Sequence, residues 1–293
     1  MQFSGSIVAI VTPFKDGRMD EAKLKELVEF QIKNGTSGIV PCGTTGESPT
    51  LSTAEHERVI EICINAVKKR VPVIAGTGSN STEEAVSLTK HAADAGANGA
   101  LIVSPYYNKP TQRGLYLHFK KIAESIDIPI VLYNIPGRTA VNIEPPTMAQ
   151  LAKDCKNIVG VKEASGSLEQ MQMIKNLCPK DFILLSGDDT LTLPILGIGG
   201  VGVISVLANI IPHDIAQVIE LFNKGKISEA RKLHYKILPL AKAMFVETNP
   251  IPIKKAVELL GLCSGEVRLP LCEMAEENVR KLKAAMKEYG LLK

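Results

Sequence analysis

Eight short apolar runs, rich in β-branched residues, recur before residue 209: SIVAIVT (6–12), GIVPCG (38–43), VPVIAGTG (71–78), GALIVSP (99–105), IPIVLYN (128–134), IVGVKEA (158–164), FILLSGD (182–188) and GVISVLA (202–208). Most are continuous rather than alternating, which is how parallel strands covered by helices read. Helical patterning fills the gaps. Leu24, Leu27, Val28 and Ile32 fall on one face. Ser52 with Glu55 makes a capping box ahead of Val59, Ile60, Cys63 and Ile64. Ser81 with Glu84 repeats it ahead of Ala85 and Leu88, and Gly96 closes that helix. Ser167 with Gln170 opens the helix after 158–164, and Pro212 opens one that ends near Gly225. Eight strand–helix units predict an α/β fold, the (β/α)8 TIM barrel. A doubly wound sheet is the alternative, but it wants a glycine fingerprint after its first strand, where this chain has TPFKDG. LGIGGVG (196–202) precedes a strand rather than following one, and reads as a tight turn.

After Gly225 the strands stop. Helices are predicted at 227–245, 252–260 and 275–288, broken by NPIP and RLPL. The expected organisation is a catalytic barrel over 1–225 and a small C-terminal helical domain over 226–293. With 45% apolar residues among 293, such a chain buries a large core without staples. The net charge of +3, with no block of like charge, argues against nucleic acid or an anionic membrane as the main partner. There is no run of 18 apolar residues. The opening MQFSGSIVAIVTPFKDG lacks a basic leader, so no signal peptide is expected. Six scattered cysteines without a CxxC pair read as reduced thiols, and the expected location is cytoplasmic. Five histidines never approach a cysteine or one another at ligand spacing, so neither zinc nor another metal is expected.

In a barrel, chemistry sits at the C-terminal ends of the strands. Those ends hold Thr12, Gly43-Thr44-Thr45-Gly46-Glu47, Gly76-Thr77-Gly78, Tyr106-Tyr107, Tyr133-Asn134 with Arg138 beyond, Lys162-Glu163, Ser186-Gly187-Asp188 and Ile204-Ser205. The set has one lysine and no histidine, which disfavours a base-activated serine. Alternation puts Val159, Val161 and Glu163 on one side of their strand, with Gly160 and Lys162 facing the barrel. The glycine there leaves room for a ligand. Desolvation favours the neutral form of an amine, and only a neutral amine attacks a ketone. Lys162 is therefore either a Schiff-base nucleophile or a structural lysine paired with a carboxylate such as Glu163. The GTTGE loop is either a carboxylate cradle built of backbone N–H groups and hydroxyls or an ordinary turn whose threonines cap a helix. Tyr133 and Tyr107 are either proton carriers or satisfied aromatics. Arg138, after a Pro-Gly turn, is either a bidentate carboxylate clamp or a solvated arginine.

The motifs GTTGESPTL, PYYNKPTQRGLYLHF, YNIPGRT, GVKEAS and SGDD stand in order, each at a strand end, with TNPIPIK at 248–254. In this the chain resembles, end to end, the dihydrodipicolinate synthase branch of the pyruvate-dependent aldolases, a family that includes N-acetylneuraminate lyase. GTTGE and the lysine strand mark the family, and YNIPGRT marks the branch. The resemblance implies pyruvate and aspartate semialdehyde as substrates, no cofactor, and a lyase of lysine and diaminopimelate biosynthesis. It assigns the imine to Lys162, and a proton relay to Thr44, Tyr133 and Tyr107, the last reaching in from a neighbouring subunit. It gives Thr45 the pyruvate carboxylate, Arg138 the semialdehyde carboxylate, and Gly187 and Ile204 pocket-lining carbonyls. A homotetramer, a dimer of tight dimers, is implied as well. So is a lysine effector site at Ser48, His56, Asn80, Glu84 and Tyr106, where Pro49 and Thr53 depart from the sensitive pattern. The rival readings are a sister aldolase acting on sialic acid or a keto-deoxy sugar acid, and a catalytically silent ligand-sensing barrel.

Overall fold

Unbroken apolar runs need cover on both faces, and the architecture supplies it. A computed structural model describes residues 3–293; the first two positions of the N-terminal stretch lie outside the described residues. The strands are β1 Gly5–Ala9, β2 Phe14–Lys15, β3 Arg18–Met19, β4 Gly38–Val40, β5 Ile74–Gly76, β6 Gly99–Val103, β7 Ile130–Asn134, β8 Ile158–Glu163, β9 Ile183–Ser186 and β10 Gly202–Ser205. The helices are α1 Glu21–Lys33, α2 Thr53–Val67, α3 Thr82–Asp94, α4 Gln112–Ala123, α5 Pro136–Thr139, α6 Pro145–Asp154, α7 Leu168–Leu177, α8 Thr192–Gly197, α9 Pro212–Asn223, α10 Ile227–Ala243, α11 Ile251–Leu259 and α12 Glu276–Tyr289.

Eight parallel strands run in the order β4-β1-β10-β9-β8-β7-β6-β5. The ends of that order meet through an Ile39–Val73 bridge, with Ile39 N donating to Pro72 O at 3.0 Å and Gly76 N to Pro41 O at 2.9 Å. The expected barrel is what the chain forms. The strands are shorter than the apolar runs because the runs continue into the loops above them. β4 stops at Val40, since Pro41 has no N–H for the ladder and Cys42 takes a left-handed φ of 54°. The ribbon β2–β3 was not anticipated. Asp16-Gly17 between Phe14 and Met19, both with positive φ, is the dipeptide of a tight hairpin turn.

Ile7, Val40, Ile74, Leu101, Val131, Leu185 and Ile204 fill the barrel interior around Phe3 and Tyr133. Outside the strands, Val8 and Ile60 share a cluster with Ile237 and Leu240 of α10, Ile253 and Val257 of α11, and Leu282 and Met286 of α12. The helices beyond 226 thus close over the barrel's own apolar layer.

β8 corrects one expectation. A register shift opposite Ile130 and Val131 leaves Val159 unpaired between Ile158 and Gly160. Val159 then packs against the interior cluster, while Ile158 and Val161 join the outer one. An inserted residue of this kind breaks the simple alternation that had put Val159 with Val161. From Gly160 onward the alternation holds. Gly160 does not leave room for a ligand either: a Cβ there would lie 2.6 Å from the Cβ and the carbonyl oxygen of Ile183. The glycine serves the close approach of β9.

Candidate active site

Tyr133 and Lys162 end neighbouring strands as Cα partners. The Lys162 Nζ sits 4.2 Å from the centre of the Tyr133 ring, and the lysine is 5% exposed. No carboxylate lies within ion-pair distance of it among the described residues. Glu163 points the other way. Its carboxylate accepts from Asn134 Nδ2 and Gln170 Nε2, each at 3.0 Å, and from Ser165 N at 2.7 Å. The Lys162–Glu163 pair is therefore not made, and the amine rests on an aromatic face with its donors uncommitted.

The loop after β4 shares the lining of one cleft with Tyr133 through Gly43 and Thr44. Gly46 N donates to Gly43 O and Glu47 N to Thr44 O, each at 3.1 Å, and Ser48 N to Gly43 O at 3.4 Å. The N–H groups of Thr44 and Thr45 donate to no acceptor among the described residues. The two threonines cap no helix, since α2 carries its own complete capping box in Ser52 and Glu55. Thr45 is buried, and its hydroxyl accepts from Asn249 Nδ2 at 3.1 Å, which leaves the hydroxyl proton for another acceptor. Two open N–H groups and a hydroxyl on one tight loop can hold a carboxylate.

A cleft of about 220 Å³ opens here, lined by Gly43, Thr44, Leu101, Tyr106, Tyr133 and Arg138 among others. Lys162, Thr45, Gly187 and Ile204 are not on its lining. Ile204 is buried in the barrel interior as the partner of Ile7 on β1. Gly187 N donates to Glu163 O at 2.8 Å, and a Cβ at Gly187 would lie 2.5 Å from the Ala164 Cβ. Only glycine lets β9 end this close to β8. Arg138 sits in the one-turn helix α5, not in a simple turn, and its Nη2 donates to Asn249 O at 3.0 Å. Tyr107 is 89% exposed with a left-handed φ of 73°, and it does not line this chain's cleft.

Cys42, next to the cradle, is buried, and burial pushes its thiol well above the usual range, so no thiolate nucleophile stands there. Among the described residues no cluster of His, Cys, Asp or Glu could hold a metal ion.

Two features escaped the sequence reading. Asn249 bridges Thr45 and Arg138, and Lys254 is fully buried against Glu47 at 2.8 Å. The only signal for either was a lysine and an asparagine inside the apolar TNPIPIK segment.

A second pocket, of about 150 Å³, gathers Ser48, His56, Glu84 and Tyr106 with Pro49 and Thr53. Asn80 lies beside it, donating to Tyr106 O at 3.2 Å. Glu84 does not close a capping box. Its backbone N donates to the Ser81 hydroxyl, but its carboxylate takes the Ser79 hydroxyl instead of the Ser81 N–H. His56 is buried with neither ring nitrogen hydrogen-bonded, and burial pushes its pKa down.

Known proteins resemble the chain over nearly its whole length. The sequence pattern of the dihydrodipicolinate synthetase family matches residues 2–289. A protein of Endomicrobium trichonymphae named 4-hydroxy-tetrahydrodipicolinate synthase is 62% identical over 99% of this chain and 100% of its own. The crystal structure of dihydrodipicolinate synthase from Aquifex aeolicus superposes with a TM-score of 0.97 at 52% identity, covering 99% of each chain. The enzyme of Cyanidioschyzon merolae, solved with lysine bound, gives a TM-score of 0.97 at 45% identity over 99% of each chain.

Proposed function

This chain belongs to the dihydrodipicolinate synthetase family, and we propose that it condenses pyruvate with aspartate semialdehyde through an imine on Lys162. The product is 4-hydroxy-tetrahydrodipicolinate, the committed step of lysine and diaminopimelate biosynthesis. The observation that carries the site assignment is the unpaired Lys162 amine on the face of Tyr133, in the same strand-end mouth as the open Thr44 and Thr45 N–H groups.

In this reading the pyruvate carboxylate docks on the Thr44–Thr45 backbone and the Thr45 hydroxyl. Neutral Lys162 Nζ then adds to the ketone carbon. A C–N bond forms, and the carbonyl oxygen leaves as water after two protonations. Thr44 and Tyr133 move those protons, joined by Tyr107 from a neighbouring subunit. Loss of a methyl proton gives the enamine, whose carbon attacks the semialdehyde. The product's own amine displaces Lys162 and closes the six-membered ring. Holding both partners in one cleft supplies the orientation that a bimolecular aldol step lacks in water.

Arg138 at the rim is the clamp for the semialdehyde carboxylate. A sister aldolase acting on a neutral sugar tail has no use for that charge, and the described site gives no reason to prefer a silent sensor. Gly187 and Ile204, which lie off the cleft lining, enter this reading through their backbone carbonyls, as the resemblance implies. The division into a barrel over 1–225 and helices over 226–293 stays our reading of the chain.

The exposed Tyr107 needs a partner copy, so we take the working form to be a homotetramer of tight dimers. Lysine is the proposed effector at Ser48, His56, Asn80, Glu84 and Tyr106. No helix among the described residues is long and apolar enough to cross a membrane, and the six cysteines are unpaired, which supports a cytoplasmic reaction.

Trapping tests the proposal. Pyruvate and borohydride should add one reduced pyruvate to Lys162, read by peptide mass, and Lys162→Arg should abolish it because a guanidinium stays protonated. A tag on another lysine, or none, sinks the assignment.

A further inference from the structure

Off the cleft lining, one ion pair is wholly buried. Lys254 of α11 and Glu47 of the cradle loop form an ion pair with both side chains 0% exposed, Nζ to Oε1 at 2.8 Å. Lys254 also donates to Thr12 O at 2.8 Å, and its ammonium lies 4.2 Å from the centre of the Phe14 ring. The second Glu47 oxygen accepts the Arg268 N–H at 3.0 Å. Two charges taken this far from water are a weak source of stability, because their desolvation offsets much of their attraction. Such a pair calls for a reason other than folding free energy.

Glu47 supplies that reason. It holds a left-handed φ of 55°, an unfavourable backbone state for a residue with a Cβ, which persists only where its surroundings impose it. Its N–H closes the turn onto Thr44 O at 3.1 Å, and the neighbouring Gly46 O accepts the Thr12 hydroxyl at 2.7 Å. The contacts that hold Glu47 therefore also aim the two N–H groups left open at Thr44 and Thr45. From the same C-terminal segment, Asn249 holds the Thr45 hydroxyl at 3.1 Å.

We infer that the buried Glu47–Lys254 ion pair is a positioning device for pyruvate: by pinning Glu47 in its left-handed conformation, it fixes the Thr44–Thr45 cradle without touching either substrate. This rests on the cradle's assignment to the pyruvate carboxylate. Lys254 belongs to the helices that follow the barrel, so those helices take part in forming the active site.

The test separates positioning from folding. Lys254→Met leaves the Glu47 carboxylate buried and alone, whereas Glu47→Gln/Lys254→Met buries no charge, and removing both partners of a buried pair is often neutral for stability. The double variant should melt within a few degrees of the unaltered enzyme. Its KM for pyruvate should nevertheless rise by roughly tenfold or more, with KM for the semialdehyde changed less than about twofold, the pattern of a lost ground-state contact to one substrate. The pyruvate concentration needed for half-maximal borohydride tagging of Lys162 should rise by the same factor. If the double variant recovers both its melting temperature and its pyruvate KM, the pair is only structural and the inference falls. Equal rises in both KM values overturn it as well, and so does a double variant with no folded population. If the unaltered enzyme fails to tag at Lys162, the underlying reading fails instead, which is a distinct result.

Discussion

The Tyr133 ring and the Lys162 side-chain nitrogen are brought together by register: the two residues are Cα partners at the ends of β7 and β8, with Nζ 4.2 Å from the ring centre. The ring covers one side of the amine, and Tyr133 also lines the cleft. Tyr133→Phe separates these two jobs. It keeps the face on which Lys162 rests and removes only the proton carrier, so turnover should drop by about 10²- to 10⁴-fold. Borohydride tagging of Lys162 at saturating pyruvate should still go to completion, more slowly. If turnover is unchanged, the hydroxyl relays nothing and the tyrosine contributes only its ring.

Arg138→Ala should weaken use of the semialdehyde far more than imine formation with pyruvate. Truncating one partner of a charge-assisted pair costs on the order of 2–4 kcal/mol, roughly 30- to 1000-fold in kcat/KM for that substrate. Equal losses in both steps would identify Arg138 with its other contact, the Asn249 carbonyl, and make it a brace between α5 and the C-terminal segment.

The barrel was legible in the sequence because its strands are covered on both faces, so each one reads as an unbroken apolar run. Lys162 stands out in the sequence for the same reason: a lone cation inside such a run contradicts its surroundings. Val159 was misplaced because an inserted residue in a strand leaves no trace in composition. The purpose of Gly160 was misread because close approach to a neighbouring strand and open space for a ligand both call for glycine. Asn249 and Lys254 meet the cradle from more than 200 positions away in the chain. No local periodicity reports a contact of that separation.

Tyr107 is exposed and does not line its own cleft, which makes the site dependent on a second copy if the relay includes it. Lys162→Ala and Tyr107→Phe proteins should each be nearly inactive alone. Mixed under conditions that exchange subunits, they should regain a measurable fraction of activity, because some hybrid sites receive an intact residue from each partner. Absence of complementation in verified hybrids would place the whole relay within one chain.

Lysine in roughly the millimolar range should lower turnover, with binding seen by calorimetry. Glu84 stands in the second pocket with its carboxylate turned to Ser79 rather than back to the helix start, so it is available to an ammonium group. Tyr106 lines both this pocket and the cleft and gives a short route between them. Glu84→Thr should remove the inhibition while turnover without lysine stays within about twofold. Full activity in saturating lysine, with no heat of binding, would end the idea. Pro49 and Thr53 line the same pocket, and inhibition weaker than in sensitive relatives is expected from them.

Acid should loosen the enclosure around Glu47 through the Arg268–Glu55 contact beside it. Arg268 grips Glu55 through both carboxylate oxygens, at 2.6 and 2.7 Å, while its backbone N–H holds Glu47. The guanidinium, with help from the Ser52 backbone, lowers the Glu55 pKa to about 2 from an ordinary 4.5, although burial pulls the other way. The folded carboxylate is thus a weaker base than the unfolded one. Between these values the unfolded chain binds more protons, so stability rises with pH across the window. The contribution is complete above about pH 4.5 and is lost as pH falls toward 2. Glu55→Gln keeps an N3 side chain that can cap α2, as either residue serves in a capping box, but it removes the titration. The melting temperature of the unaltered enzyme should therefore fall more steeply than that of Glu55→Gln between about pH 5 and about pH 3, with the two curves converging at the acid end. Parallel curves would mean that the Arg268–Glu55 contact, though bidentate, is screened by its partial exposure and contributes nothing measurable. In that case Arg268 would hold Glu47 through its backbone N–H alone.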